Sequence, residues 1–105
     1  PTDNKGKGEK FSPTDLVASA LADCMLTVMA IKANAMDVEL KNSTCEVTKV
    51  MASKPRRISE IHLIMNMPTG ITDKHRKILE HTAKTCPVHH SLHPDTVVSC
   101  IFNWG

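Results

Sequence analysis

Residues 12–34 read SPTDLVASALADCMLTVMAIKAN, and this stretch decides the fold. Ser12 is suited to cap a helix, Pro13 to take its first position, and Asp15 to sit as an acid near the positive helix end. At about 100° per residue, Val17, Ala20, Leu21, Cys24, Val28 and Ile31 fall on one stripe with Cys24 near its centre. Ala18, Ala22, Met25, Leu26, Met29 and Ala30 fill the other sides. The spacing therefore predicts a central helix covered on most of its circumference, stopping near Asn34. A helix this apolar needs more cover than a short chain offers, and a partner subunit would supply it.

Before this stretch, residues 1–10 are rich in Gly, Lys, Asp and Asn without periodicity, and read as a flexible lead-in. The chain starts Pro1-Thr2-Asp3, without Met, as a processed product or part of a longer protein would. After it, Asp37 to Met51 carries β-branched residues in partial alternation and predicts a strand pair broken at Asn42-Ser43. Ile58 to Met67 alternates as a half-buried strand that Pro68-Thr69-Gly70 closes. Thr72 can cap a second helix, with Ile71, His75, Ile78, Leu79, Thr82, Ala83 and Cys86 along one side. Pro87 breaks it, His89 to Leu92 suits a short helical turn, and Thr96 to Trp104 reads as a closing strand. Helix, strands, helix, strand gives an α+β class with a mainly antiparallel sheet. Residues 1–105 form one domain, since the length leaves no room for a second core.

Composition narrows the function. Thirteen basic and eleven acidic residues give a net charge of +2 spread along the chain, so no basic arm points to nucleic acid. Aromatics at 3%, with no Tyr, remove the stacking platforms of single-strand binders. Leu16 to Ile31 is 16 residues interrupted by Asp23, shorter than the roughly 20 apolar residues of a membrane span, so no membrane role is expected. Cys24, Cys45, Cys86 and Cys100 are widely spaced with no secretory signal, and read as thiols of a cytoplasmic protein.

Cys24 is the most informative residue. A thiol in an apolar helix packs as a small hydrophobe in most proteins, and serves as a nucleophile when a nearby cation or helix N-terminus favours its thiolate. Cys86 lies in Thr85-Cys86-Pro87-Val88-His89-His90, and is either a second buried thiol or a resolving partner for Cys24. His89 and His93 with Cys86 raise a metal reading. Zinc sites want two well-spaced pairs and Pro94 interrupts any helix there, so solvated histidines are the better account and no cofactor is expected.

The run Phe11-Ser12-Pro13-Thr14-Asp15-Leu16-Val17, then Ala20-Leu21-Ala22-Asp23-Cys24 and far downstream Cys86-Pro87-Val88, resembles the OsmC/Ohr family of osmotically inducible and organic hydroperoxide resistance proteins, in its broader OsmC-like subgroup. The resemblance covers nearly the whole chain. It implies an intertwined homodimer with the cysteine helices at its core, and a peroxiredoxin-like reductase for organic hydroperoxides or hydrogen peroxide. By the same resemblance Cys24 is oxidised to a sulfenic acid, Cys86 resolves it as a disulfide, and a dithiol or lipoyl protein reduces that. The family's N-terminal strands, which carry an arginine that holds the thiolate, are expected upstream of these residues. Its acid follows the proline, where this chain has Thr14, so Asp15 is the candidate replacement. Without that acid, the alternative is a non-catalytic thiol sensor or small-molecule-binding dimer.

Overall fold

The computed structural model describes residues 12–105, so the lead-in at residues 1–10 and Phe11 lie outside the described residues. Helix α1 spans Pro13–Ala35, and its N-terminus forms as the sequence predicts. The Ser12 hydroxyl accepts from the Asp15 N–H at 3.1 Å, and the Asp15 carboxylate accepts from the Ser12 N–H at 3.2 Å. This capping box satisfies two of the N–H groups that a helix start leaves unpaired.

The C-terminal end falls at Ala35, one residue past the expected stop at Asn34. Asp37 adopts φ 56°, its N–H bonds to the Asn34 carbonyl at 3.2 Å, and the Val38 N–H bonds to the Ala33 carbonyl at 2.8 Å. That is a Schellman stop with a non-glycine residue in the left-handed position. The chain then turns again at Asn42, φ 63°. Asp37 to Met51 is therefore one strand preceded by a loop, not a strand pair. Val38 and Leu40 produced the apparent alternation because both loop residues pack against the core.

Strands β1 (Thr44–Ala52) and β2 (Arg57–Met67) form an antiparallel hairpin with Val47 opposite Leu63 and a bulge between Val50 and Met51. Arg57 Nη1 donates to the Ser53 and Pro55 carbonyls at 3.1 and 2.8 Å, tying the turn. The chain next forms α2 (Asp73–Ala83) and the four-residue α3 (Pro87–His90), then returns as β3 (Val97–Trp104). Because this connection crosses over through helices, β3 lies parallel to β2, with Cys100 opposite Leu63. The architecture is α+β, with strand order β1-β2-β3.

One sheet face carries Ile61, Leu63, Met65 and Met67, all buried against the helices. The other carries a polar chain in which the His62 ring bonds Ser99 Oγ at 2.6 Å and Glu60 Oε1 at 2.9 Å. Helix α1 packs on β1, β2, α2 and α3 through Ala18, Leu21, Ala22, Met25, Met29 and Ala33. This buried stripe is rotated from the one expected around Cys24. Alanines at three of its six positions let the helix backbone approach its neighbours closely, whereas Leu16, Val17 and Ile31 stay 57%, 37% and 67% exposed. By length and composition alone, α1 also meets the requirement for a membrane span, because it extends beyond the uncharged run at both ends. Its inner face is instead packed on the sheet and α2.

Candidate functional site

The structure brings together the two cysteines that the sequence singles out. Cys24 sits half-buried midway along α1, Cys86 is fully buried, and the two thiols are near enough for Cys24 to act on the Cys86 proton. All four cysteines are free thiols.

Cys86 owes its position to the break between α2 and α3. Lys84 caps the end of α2, and Pro87 opens α3, where its missing N–H costs nothing. Cys86 is the N-cap of α3, and its sulfur accepts from the His89 N–H at 3.3 Å. Burial pushes the Cys86 thiol up from its ordinary range and the neighbouring Cys24 adds to this, while the His89 and Val88 N–H groups oppose it. The net direction keeps Cys86 protonated at neutral pH.

Asp15 goes elsewhere. Nine residues before Cys24, it lies on the opposite side of α1 and about 13 Å along its axis. Its carboxylate is held by the Ser12 N–H and by Lys49 Nζ of β1 at 3.3 Å, and the Ser12 bond leads the effects that lower its pKa. Asp15 thus ties the start of α1 to the sheet and is not brought to the thiols. Among the arginines, Arg76 lies over the Trp104 ring at 5.7 Å, and Arg57 serves the β1–β2 turn.

Cys45 and Cys100 project from the inner sheet face. Burial raises both thiols, Cys100 to about 11. Relative to an ordinary value of 9.0, the folded state keeps the Cys100 proton when the unfolded chain has lost it. Its contribution is full below pH 9 and disappears as pH rises toward 11, so stability falls across that window. Melting temperatures taken through it are expected to drop, with Cys100→Ala flattening the decline; equal slopes in the two proteins would refute this assignment.

The remaining histidines do not converge. His93 Nδ1 accepts from the Asp95 N–H at 3.0 Å with a side chain 71% exposed, whereas His89 Nδ1 faces the Lys84 carbonyl at 3.2 Å. Among the described residues, no group of three or more His, Cys, Asp or Glu is arranged to hold a metal. The Cys86-x-x-His89 spacing does not disclose the use of the ring, because its carbonyl partner meets it only when the chain folds back after α2. Behind this turn is a small cavity of about 160 Å³ lined by Met25, Lys84, His89, Val98 and Cys100.

Comparison with known proteins gives consistent results. A family model described as OsmC-like protein matches residues 6–100. No curated protein matches the chain. A crystal structure from Psychrobacter arcticus 273-4, described as an osmotic stress induced and detoxification response protein, is 51% identical, with a TM-score of 0.92 over 98% of this chain and 75% of that one. The organic hydroperoxide resistance protein OsmC of Legionella pneumophila shares the fold at 19% identity, with a TM-score of 0.79 over 98% of this chain and 77% of that one. OhrB of Bacillus subtilis does so at 17% identity, with a TM-score of 0.74 and coverage of 97% and 76%.

Proposed function

Because the chain belongs to the OsmC-like protein family, we propose that it is a thiol peroxidase that reduces organic hydroperoxides through Cys24 and Cys86. The observation that carries this reading is the pairing of a half-buried thiol on α1 with a fully buried one at the α2–α3 break. Fold relatives named as organic hydroperoxide resistance proteins support the same redox role.

In the first step the Cys24 thiolate attacks one peroxide oxygen. An S–O bond forms, the O–O bond breaks, and the alkoxide leaves as alcohol after taking a proton. In the second, Cys86 sulfur attacks the Cys24 sulfenic acid, the S–O bond breaks, and the hydroxyl leaves with the Cys86 proton as water. A dithiol, free or carried as a lipoyl group on a protein, then exchanges with the disulfide and is itself oxidised. Apolar side chains around α1 suit an organic peroxide over hydrogen peroxide. The exposed Leu16, Val17 and Ile31 suit a second copy of the chain.

Intact mass and thiol counts before and after one equivalent of cumene hydroperoxide test this. The expected result is the loss of two thiols, Cys24 and Cys86, to an internal disulfide within seconds. If all thiols stay reduced over minutes, the enzyme reading fails. The thiol-sensor or ligand-binding alternative then leads, and the turning of Asp15 away from Cys24 favours it.

A further inference from the structure

We propose that His89 is the positioning residue for the resolving thiol, its ring fixing Cys86 through the Lys84 carbonyl and so setting how fast the Cys24–Cys86 disulfide closes. The inference rests on the two-thiol reading above and adds to it a residue outside the thiol pair.

Helix α3 has four residues, too few to stabilise itself by its own hydrogen bonds. The placement of Cys86 therefore depends on bonds beyond the backbone ladder of that turn. His89 supplies two, one on each side of the cysteine. Its backbone N–H donates to Cys86 Sγ at 3.3 Å, and its ring Nδ1 lies 3.2 Å from the Lys84 carbonyl oxygen. A carbonyl only accepts, so Nδ1 carries the hydrogen, and the tautomer follows from the partner. Lys84 is the C-cap of α2, so its carbonyl belongs to the group that a helix end leaves without intrahelical partners. The ring thereby fastens α3 to the end of α2, with Cys86 between.

The cavity behind this turn makes the fastening matter. His89 and Lys84 both line it, so loss of the ring enlarges a space into which residues 84–89 can relax. Disulfide closure tolerates little relaxation, because the S–S bond and its dihedral angle restrict where the attacking sulfur must stand. Formation of the S–S bond and departure of water from the Cys24 sulfenic acid both require that placement. Attack of Cys24 on peroxide does not.

The test uses the full-length protein as wild type, His89→Ala and His89→Asn, with one equivalent of cumene hydroperoxide. Dimedone trapping reads the lifetime of the sulfenic acid, and mass reads the disulfide. In His89→Ala, peroxide is expected to disappear at the wild-type rate while the sulfenic acid persists about tenfold longer, the scale of one lost hydrogen bond. Asparagine places an amide N–H near the position of Nδ1, so His89→Asn is expected to restore most of the closure rate. Wild-type closure in His89→Ala overturns the proposal, as does an asparagine variant that is folded by circular dichroism yet as slow as alanine. If the wild type itself loses no thiols, the two-thiol reading fails and this proposal with it, a result distinct from either.

Discussion

Cys24→Ser is expected to lose consumption of cumene hydroperoxide by about a thousandfold, whereas Cys86→Ser keeps one fast reaction and loses turnover. The asymmetry follows from where the two sulfurs sit. Cys24 is half-buried and open to a ligand, so its thiolate meets the peroxide. Cys86 is fully buried, and its burial favours the thiol form, so it is a poor nucleophile toward anything arriving from solvent. It is well placed only for a sulfur already beside it. In Cys86→Ser the Cys24 sulfenic acid therefore has no internal partner, and excess peroxide carries it to the sulfinic acid. Stopped-flow peroxide consumption and intact mass distinguish the two variants. Residual turnover in Cys24→Ser would sink the assignment, and multiple turnover in Cys86→Ser would show that resolution does not use this cysteine.

How far the sequence disclosed this arrangement depends on the range of each interaction. The capping box of α1 was readable because Ser12 and Asp15 satisfy each other within one turn. The β2 strand was readable because its alternation matches one buried and one open face. The loop at Asp37 to Ser43 was not, since its φ 56° stop is made by an aspartate where the usual signal is glycine, and Val38 and Leu40 mimic a strand. Nor could periodicity choose which stripe of α1 is buried, because apolar residues surround the helix and small Ala side chains win the close contacts. The thiol pair came from the motif, but its proximity required the crossover that packs α3 on α1. Asp15 matched by position, and within the protomer its nine-residue offset turns it to the far side of the helix from Cys24.

The same unused stripe carries the second large expectation: Ile31→Glu is expected to convert a dimer into monomers. Leu16, Val17 and Ile31 stand exposed on the side of α1 away from its packed face, with half-buried Cys24 between Ile31 and Val17 around the helix and Val28 at the stripe's edge. An apolar strip on a long central helix is what a second copy would cover. Ile31 is 67% exposed, so a glutamate there leaves the protomer's own packing nearly unchanged. Buried unpaired in an interface, that carboxylate would weaken association by roughly a thousandfold. Sedimentation equilibrium checks this, with Lys77→Glu on α2 as a charge-changing control and circular dichroism confirming the fold. A wild type that is monomeric at every concentration refutes the covered-stripe argument. Because Cys24 lies within the stripe, separating the copies should also open its thiol, so Ile31→Glu is expected to react faster with iodoacetamide at Cys24 and to lose selectivity for organic over hydrogen peroxide. Monomers with unchanged Cys24 reactivity would place the interface away from the thiols and separate assembly from chemistry.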